Sequence, residues 1–224
     1  TGALNRISKI VIPKTEIDIT GATGNLEQVI DLKNYLPWHR IQRMKDALRG
    51  IDAQKRRIHT SEQVHADSHQ IVAHLEEMDC FKQAQTIMVY YPMDNEVDLR
   101  SLVKKYADQK TFLLPCTSPR RRKIEVRTYI KGAPLKKGAF GIPEPSTPIH
   151  KGKIDLIIVP GIAYDLECHR LGRGGGYYDR FLKNFKKSIK IGVCYDFQLH
   201  DVIPHNFFDK SMDWVVTPSK TIEK

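Results

Sequence analysis

Residues 154–161 read Ile-Asp-Leu-Ile-Ile-Val-Pro-Gly and form the most apolar run of the chain. Residues 156–159 are all apolar, without the alternation of a half-exposed strand, and Pro160 and Gly161 end the run. A short, continuous apolar run between breakers is typical of a strand buried on both faces. Such strands occur mainly where helices cover both faces of a parallel sheet. This stretch therefore predicts an α/β fold.

The segments around this run alternate between helix and strand patterns. Apolar residues at helical spacing predict a helix from Pro37 through Ile58, and a second helix after Ser61, which suits an N-cap. Short helices are predicted near residues 99–106 and 177–185. We expect a three-layer α/β architecture, with a largely parallel sheet covered by helices on both faces. The predicted strands are residues 86–91, 111–114, 123–130, 154–159, 189–194 and 214–217.

The first residues of the chain differ from the rest. Residues 10–19 alternate as a strand does, but Pro13 restricts that strand to the edge of a sheet. We predict that residues 1–34 form an N-terminal extension of unknown role. Residues 35–224 are long enough for one large core and are predicted to form a single α/β domain.

The composition excludes several classes of protein. Of the 224 residues, 41% are hydrophobic, which is too many for a wholly disordered chain with a net charge of +10. No segment is apolar over the length that a membrane-spanning helix needs. The excess of positive charge predicts a polyanionic partner: nucleic acid, a membrane surface, or a phosphorylated or polycarboxylate small molecule.

The cysteine pattern bears on the compartment. Cys80, Cys116, Cys168 and Cys194 lie far apart in the sequence and include no CxxC pair. This spacing is typical of reduced thiols and not of a disulfide framework. No pattern of a secretory signal peptide is present in the given sequence. We therefore expect a cytoplasmic protein.

The most informative segment is residues 170–180, which read RLGRGGGYYDR. Glycine allows positive φ angles and lets a ligand approach the backbone amides closely. The start of the helix predicted after these glycines would add N–H groups and the positive end of the helix dipole. The alternative is a solvated surface turn, which glycine clusters mark about as often. The segment favours a phosphate cradle formed by Gly172, Gly174, Gly175 and Gly176.

Charged side chains beside the glycines support an anion site. Arg170 and Arg173 would bring positive charge to phosphate oxygens. Asp179 falls in the first turn of the predicted helix, where a carboxylate is favoured and would suit Mg²⁺. The pattern matches neither GxxxxGK[ST] nor GxGxxG. It therefore indicates a phosphate site of another kind.

Residues 155–165 and 170–180 together resemble the signature of the 5-formyltetrahydrofolate cyclo-ligase family. The resemblance runs from about residue 40 to 218, roughly four-fifths of the chain, and an ordered set of motifs is more specific than any one motif. It implies a three-layer fold like that of the sugar-phosphate isomerases and CoA-transferases. The other matching motifs are KDALR at 45–49, MDNEV at 93–97, FGIPEP at 140–145, IP at 203–204 and the closing segment 209–217.

The resemblance implies an ATP- and Mg²⁺-dependent cyclisation of 5-formyltetrahydrofolate to 5,10-methenyltetrahydrofolate, with release of ADP and phosphate. In this family the formyl oxygen attacks the γ-phosphate of ATP, N10 closes on the activated carbon, and phosphate leaves. Such chemistry needs charge neutralisation and in-line positioning more than a protein nucleophile. The implied partner is a folate, with or without a polyglutamate tail, bound by a monomer. Neither nucleic acid nor a membrane is expected.

The resemblance also implies roles for individual residues. It directs Lys45 and Arg49 to ATP phosphates, although their spacing alone predicts only a solvated basic helix face. Arg173 would stabilise the charge of phosphoryl transfer, and Asp179 and Asp209 would hold Mg²⁺. Of the two adjacent tyrosines, we expect one to stack on a planar ring and one to pack against the protein. The implied ATP-binding residues are Lys45, Arg49, Arg170, Gly172, Arg173, Gly174, Gly175, Gly176, Tyr177 and Tyr178, and the implied folate-binding residues are Tyr91, Met93, Glu96, Arg173 and Tyr177.

Two positions depart from the family pattern. Gly175 stands where a lysine is common, and Phe208 stands where a histidine often precedes the metal-binding aspartate. These departures keep open a paralogue that has the fold and the phosphate site but acts on another substrate. The other alternative is a nucleic-acid-binding protein, suggested by the net charge and by the run RRRK at 120–123.

Two histidine patterns are interpreted without a function. His65 and His69 share one face of a predicted helix, but they lack the HExxH glutamate and a third ligand, so a solvated face is predicted. Cys168 and His169 are neighbours in a predicted loop. Because adjacent residues seldom form a productive thiolate–imidazole pair, we predict no catalytic role for them.

Overall fold

The computed structural model describes residues 11–12, 15–16, 38–93 and 95–224. The chain divides into two units, residues 1–47 and 48–224. In the first unit, strand β1 (Val11–Ile12) pairs antiparallel with β2 (Thr15–Glu16), and helix α1 (Trp38–Ile58) begins. Pro13, Pro37 and the predicted domain boundary between residues 34 and 35 lie outside the described residues. The division into an extension and a catalytic domain stays a prediction.

The second unit alternates helices and strands. None of the helices in the described part of the chain is both long enough and apolar enough to cross a membrane. After α1, the helices are α2 (Ser61–Glu77), α3 (Asp79–Gln83), α4 (Arg100–Tyr106) and α5 (Tyr177–Leu182). The strands are β3 (Thr86–Met88), β4 (Thr111–Ser118), β5 (Lys123–Thr128), β6 (Lys136–Lys137), β7 (Pro143–Glu144), β8 (Leu156–Pro160), β9 (Ala163–Asp165), β10 (Arg170–Leu171), β11 (Ile189–Val193), β12 (Leu199–His200), β13 (Trp214–Val216) and β14 (Thr221–Glu223).

The main sheet has seven strands in the order β14-β13-β11-β8-β3-β4-β5. The five inner strands are parallel to one another, and the edge strands β14 and β5 pair antiparallel with β13 and β4. Strand β8, the apolar run of the sequence, lies at the centre between β3 and β11. A smaller sheet has the order β10-β9-β12, and β6 pairs with β7. The largely parallel sheet confirms the prediction from the sequence.

Side chains of β8 divide between two hydrophobic cores, one on each face of the sheet. Leu156 and Ile158 point to the core that contains residues of α2 and α4. Ile157 and Val159 point to the core that contains residues of α5. Because successive side chains of a strand face opposite ways, this run must be apolar throughout. The three-layer α/β architecture is therefore confirmed.

Some element boundaries differ from those predicted. The N-cap of α2 is Thr60, not Ser61, because the Thr60 hydroxyl accepts the Gln63 amide and the Gln63 side chain accepts the Thr60 amide. Strand β4 continues through Pro115 to Ser118 by pairing with β5. Strands β9, β10 and β12 were not predicted, since two or three residues give no period to recognise. Strands β9 and β10 lead into the glycine segment, and β12 pairs with β9.

Candidate functional site

The site lies at the carboxyl ends of the central parallel strands. The chain passes from β3 to β4 on one side and later returns to place β8 on the other side of β3. Such a reversal of strand order opens a crevice outside the carboxyl ends, where α/β proteins bind their ligands. A small cavity occupies this position. Its lining residues are Arg56, Tyr90, Glu96, Val97, Pro160, Gly161, Val193 and Gln198.

The glycine segment runs from β10 to the start of α5. Gly174 has φ +97° and Gly176 has φ +64°, angles that residues with a side chain rarely adopt. Arg173, Gly174 and Gly175 are exposed to solvent. Within the described part of the chain, the amides of Gly174 and Gly175 donate no backbone hydrogen bond. An exposed loop with positive φ glycines and available amides has the properties expected of an anion cradle.

Helix α1 places Arg49 against this glycine loop. Arg49 Nε donates to Gly172 O over 2.8 Å. A Cβ atom on Gly174 would lie 3.6 Å from Arg49 Cζ, so the guanidinium packs directly on the loop. Lys45 lies one helical turn earlier on α1 and is buried. The structure thus brings Arg49 and the predicted cradle together, and the assignment of Lys45 to the same ligand stays a prediction.

The buried side of α1 is charged near the site. Asp52 and Arg56 are buried, whereas Ile51 and Ile58, two of the apolar residues whose spacing predicted the helix, are 52% and 76% exposed. The predicted helix is present, but these two residues do not face the core. Asp52 Oδ2 lies 2.7 Å from His200 Nε2 on β12, a contact that replaces the expected apolar packing.

Glu96 connects α1, the loop after β3 and the glycine loop. Its Oε2 accepts the Met93 amide over 3.1 Å, which closes its own loop. Its Oε1 lies 2.9 Å from Arg173 Nη2 and 3.7 Å from Arg56 Nη1. Glu96 and Arg56 are largely buried, and Arg173 is half exposed. The structure therefore joins the predicted folate-side carboxylate to the predicted catalytic arginine, and it adds Arg56.

Asn95 anchors the loop that carries Glu96. Its φ is +58°, and its Nδ2 donates to Arg56 O over 3.4 Å and to His59 O over 3.2 Å. These carbonyls belong to the end of α1, where backbone acceptors lack helical partners. The sequence analysis missed Asn95 and Arg56. The signal was an asparagine, a residue enriched at positive φ, inside the MDNEV motif. Asp94 lies outside the described residues.

Arg170 is buried behind the loop. Its Nη2 donates to Asp179 Oδ1 over 3.1 Å, its Nη1 donates to Pro160 O over 3.3 Å, and its guanidinium lies 5.5 Å from the centre of the Tyr178 ring. A buried arginine with these contacts ties the end of β8 to the start of α5. Its contact with a phosphate stays a prediction, while the structure gives it a positioning role.

The two predicted metal-binding carboxylates belong to segments that touch. Asp179 Oδ1 accepts the backbone N–H of Lys210 over 3.1 Å, directly after Asp209. Asp209 Oδ2 accepts the Asn206 amide over 2.7 Å. Phe208, the residue that departs from the family pattern, is exposed and lies under the Lys183 ammonium at 5.6 Å. The metal assignment itself is not tested by these contacts.

The two adjacent tyrosines have different surroundings. Tyr178 packs against the core on the α5 face, and burial raises its pKa. The ring of Tyr177 meets Phe140 edge-on at 6.2 Å and carries the Arg180 guanidinium at 5.5 Å. Phe140 is exposed and has φ +58°, an uncommon angle for an aromatic residue. Tyr178 is therefore the packing tyrosine, and the stacking of Tyr177 on a ligand stays a prediction.

A parallel α/β sheet with a glycine loop, arginines and carboxylates at its carboxyl edge is an arrangement that favours binding of a phosphorylated ligand. Residues 41–218 match the 5-formyltetrahydrofolate cyclo-ligase family. The chain belongs to this family, and the resemblance noted from its motifs is confirmed.

Known proteins similar to the chain include cyclo-ligases from bacteria. A relative from Escherichia coli (strain K12), named 5-formyltetrahydrofolate cyclo-ligase, is 30% identical over 178 residues, which is 76% of this chain and 98% of the relative. The solved structure of 5,10-methenyltetrahydrofolate synthetase from Aquifex aeolicus is 34% identical, with a TM-score of 0.73 over 80% of this chain and 92% of that one. A Mycoplasma pneumoniae synthetase, 23% identical with a TM-score of 0.62, covers 78% of this chain and 98% of its own and shares the fold.

Proposed function

We propose that this chain cyclises 5-formyltetrahydrofolate to 5,10-methenyltetrahydrofolate and consumes ATP, as the family name and the family's chemistry imply. One observation carries the proposal beyond family membership. Glu96, on the loop after β3, is bonded to Arg173 of the glycine loop over 2.9 Å. A carboxylate suited to a folate ring and an arginine suited to a phosphate therefore share one position at the carboxyl edge of the sheet.

The nucleotide half of the site consists of the glycine loop and Arg49. The exposed amides of the loop would donate to phosphate oxygens, and Arg49 would add charge from below the loop. A side chain at Gly174 or Gly176 would strain the loop, because both have positive φ. At Gly175 a Cβ atom would lie 2.8 Å from the Tyr177 ring, so the glycine keeps that ring close to the loop.

The folate half of the site lies between Glu96 and the ends of β3 and β8. Glu96 presents an acceptor to the N–H groups of a pterin ring, and Tyr91 and Met93 lie on the same loop, half-buried. Tyr177 is the first residue of α5 and offers an aromatic face for a planar ring. The preference for a polyglutamate tail stays a prediction.

Arg173 is the residue that we expect to assist phosphoryl transfer. The formyl oxygen attacks the γ-phosphorus of ATP, and the bond to ADP breaks. N10 then attacks the formyl carbon and loses its proton, and the phosphate leaves with the former formyl oxygen. Negative charge spreads over the transferred oxygens in the first step, and a guanidinium on the exposed loop would stabilise it. Arg173 is half exposed, so its side chain has room to exchange Glu96 for a phosphate.

The carboxylates of this site fit a magnesium ion. Mg²⁺ prefers carboxylate oxygens, and the bond between Lys210 N and Asp179 Oδ1 brings the segment with Asp209 to Asp179. Arg170 already uses one oxygen of Asp179, which fixes the direction of that carboxylate. We propose that Asp179 and Asp209 hold the ion. When bound, it would neutralise charge on the ATP phosphates.

The direct test is turnover of 5-formyltetrahydrofolate by the purified chain, followed by the absorbance of the methenyl product with and without Mg-ATP. We expect turnover that requires ATP, and a loss of about 100-fold or more in kcat/KM for Arg173→Met. Arg57→Met is the matched control, because Arg57 is exposed on α1 outside the site. Its activity should equal that of the natural chain.

Other results would point elsewhere. Folded protein without turnover would refute the proposal, and ATP hydrolysis with a different folate or acyl substrate would support the paralogue. Salt-sensitive affinity for RNA, without turnover, would support the nucleic-acid alternative. The monomeric state and the cytoplasmic location stay predictions that sedimentation and cell fractionation test.

A further inference from the structure

We propose that Asp165, His169 and His205 form a binding site for a divalent transition-metal ion. One candidate ligand atom from each of these residues lies within 4.8 Å of the other two. The cluster is built by the turn between β9 and β10 and by the segment that follows Ile203. It does not include Asp179 or Asp209, and it does not depend on the function proposed above.

The two imidazole rings are stacked face to face. The ring centres of His169 and His205 are 3.6 Å apart, and the ring planes differ by 11°. A neutral imidazole carries the lone pair that a metal ion needs. Each lone pair lies in the plane of its ring, so we expect the two rings to turn out of the parallel stack when they bind one ion.

The ring of His205 has a hydrogen bond of the kind that orients a metal-bound histidine. His205 Nδ1 donates to Ile203 O over 3.2 Å, so in the neutral ring the lone pair is on Nε2. Metal-bound histidines commonly donate their other ring N–H to a carbonyl in this way. His169 Nδ1 lies 3.2 Å from Asp165 Oδ2, so an ion bound by both atoms would take the place of the N–H between them.

The carboxylate of Asp165 is fixed and ionised. The residue is fully buried, and it accepts the amides of Glu167, His169 and Ile203 over 2.8 to 3.1 Å. Burial opposes its ionisation, but the hydrogen bonds from the His169 ring and from the amides of Ile203 and His169 outweigh burial, so its pKa is lowered. The site therefore holds one negative charge beside two imidazoles.

The donor set selects the kind of ion. Two imidazoles with one carboxylate suit Zn²⁺, Co²⁺ or Ni²⁺, whereas Mg²⁺ prefers oxygen ligands alone. The His169 side chain is partly exposed, so an ion has access to it. Glu167 Oε2 lies 3.7 Å from His169 Nδ1, and this exposed carboxylate can reach an ion from the solvent side.

An ion at this position would connect two segments that are far apart in the sequence. His169 directly precedes β10, which leads into the glycine loop, and His205 precedes the segment with Asp209. An ion bound only to the folded chain would stabilise it. The cluster joins residues that are separated by 36 positions, so no spacing in the sequence indicated it.

The experiment is a titration of the full chain, free of nucleotide, with CoCl₂ and separately with ZnCl₂ at about pH 7.5. We expect one equivalent of Co²⁺ to bind, with ligand-field bands of nitrogen and oxygen coordination and no thiolate charge-transfer band. His169→Ala and His205→Ala should each weaken the affinity about tenfold or more. Zinc should raise the melting temperature of the natural chain and not that of either variant.

The matched control is the double variant His65→Ala/His69→Ala, because these histidines lie at i and i+4 on α2, outside the cluster. Its affinity should be unchanged. If circular dichroism shows that an alanine variant does not fold, His169→Gln and His205→Gln replace it. The proposal is wrong if the natural chain takes up no ion at millimolar concentration, or if folded variants of both histidines bind as the natural chain does.

Discussion

Two arginines of the glycine segment have the same side chain and different surroundings, and this difference gives a sharp prediction. The side chain of Arg170 is 4% exposed, and that of Arg173 is 49% exposed. We consider the substitutions Arg170→Met and Arg173→Met, which keep much of the unbranched stem and remove the charge. Arg170→Met should reduce stability, whereas Arg173→Met should reduce activity.

The magnitudes follow from the contacts. Removing Arg170 leaves Asp179 without its buried partner, which costs about 3–5 kcal/mol for a buried ion pair. Its contact with the Tyr178 ring adds up to ~2 kcal/mol when desolvated, and the two effects overlap because one guanidinium makes both. We expect a total of about 4 kcal/mol. The pair of Arg173 with Glu96 is half exposed, so its loss should cost about 1 kcal/mol or less.

The assay is urea unfolding at about pH 7, followed by circular dichroism. With an m-value of about 3 kcal/mol/M, Arg170→Met should lower the midpoint by roughly 1–1.5 M, and Arg173→Met by no more than about 0.3 M. Equal losses for the two variants would refute the reasoning, since it rests on the difference in burial. So would a loss below about 0.5 kcal/mol for Arg170→Met.

Three further predictions concern other parts of the chain. Gly174→Ala should strain the loop by about 1–3 kcal/mol and raise the KM for ATP about tenfold, and an unchanged KM in steady-state rates would contradict a phosphate cradle there. Burial opposes ionisation of Asp98, but hydrogen bonds from the side chain and amide of Arg100 outweigh it and lower its pKa. The stability that this carboxylate contributes is present above about pH 4 and is lost as the pH falls through the lowered pKa. Asp98→Asn should therefore cost about 1 kcal/mol at pH 7, and the cost should shrink steadily as the pH is lowered below 4, by urea midpoints. Iodoacetamide at about pH 8 should alkylate half-buried Cys80 first, since burial raises the pKa of Cys116 to about 11; mass spectrometry of peptides that shows Cys116 modified first would contradict this.

The sequence was sufficient to predict the layers of the fold and the position of the loop. Strand β8 is buried on both faces, and this is visible as an unbroken apolar run. Gly174 and Gly176 indicated a loop with positive φ angles, a conformation that only glycine adopts readily. Both signals are local, so they need no knowledge of the partners of each residue.

Partners that come from distant segments could not be predicted. Asp52 is a charged residue among the basic residues of α1, yet it is buried, and its partner His200, 148 positions away, lies 2.7 Å from it. Arg170 looked like a phosphate ligand, and its buried contact with Asp179 appears only when β10 and α5 are in place. A charged residue is an ambiguous signal in a sequence, because the same residue type can bind a ligand or pair with another side chain inside the protein.

The buried, charged side of α1 affects how Arg49 is positioned at the proposed site. An apolar helix face tolerates small slides and rotations, but paired charges work only in one alignment. The contacts of Asp52 with His200 and of Arg56 with Glu96 therefore fix the rotation of this part of α1 about the helix axis and its position along that axis. Arg49 is on the same helix. We therefore expect an apolar replacement of the Asp52–His200 pair to keep the fold and to raise the KM for ATP. An unchanged KM would show that this charge pair is not needed to align the helix. The position of Arg49 thus depends on Asp52 and Arg56, two residues that we do not expect to contact the bound ATP.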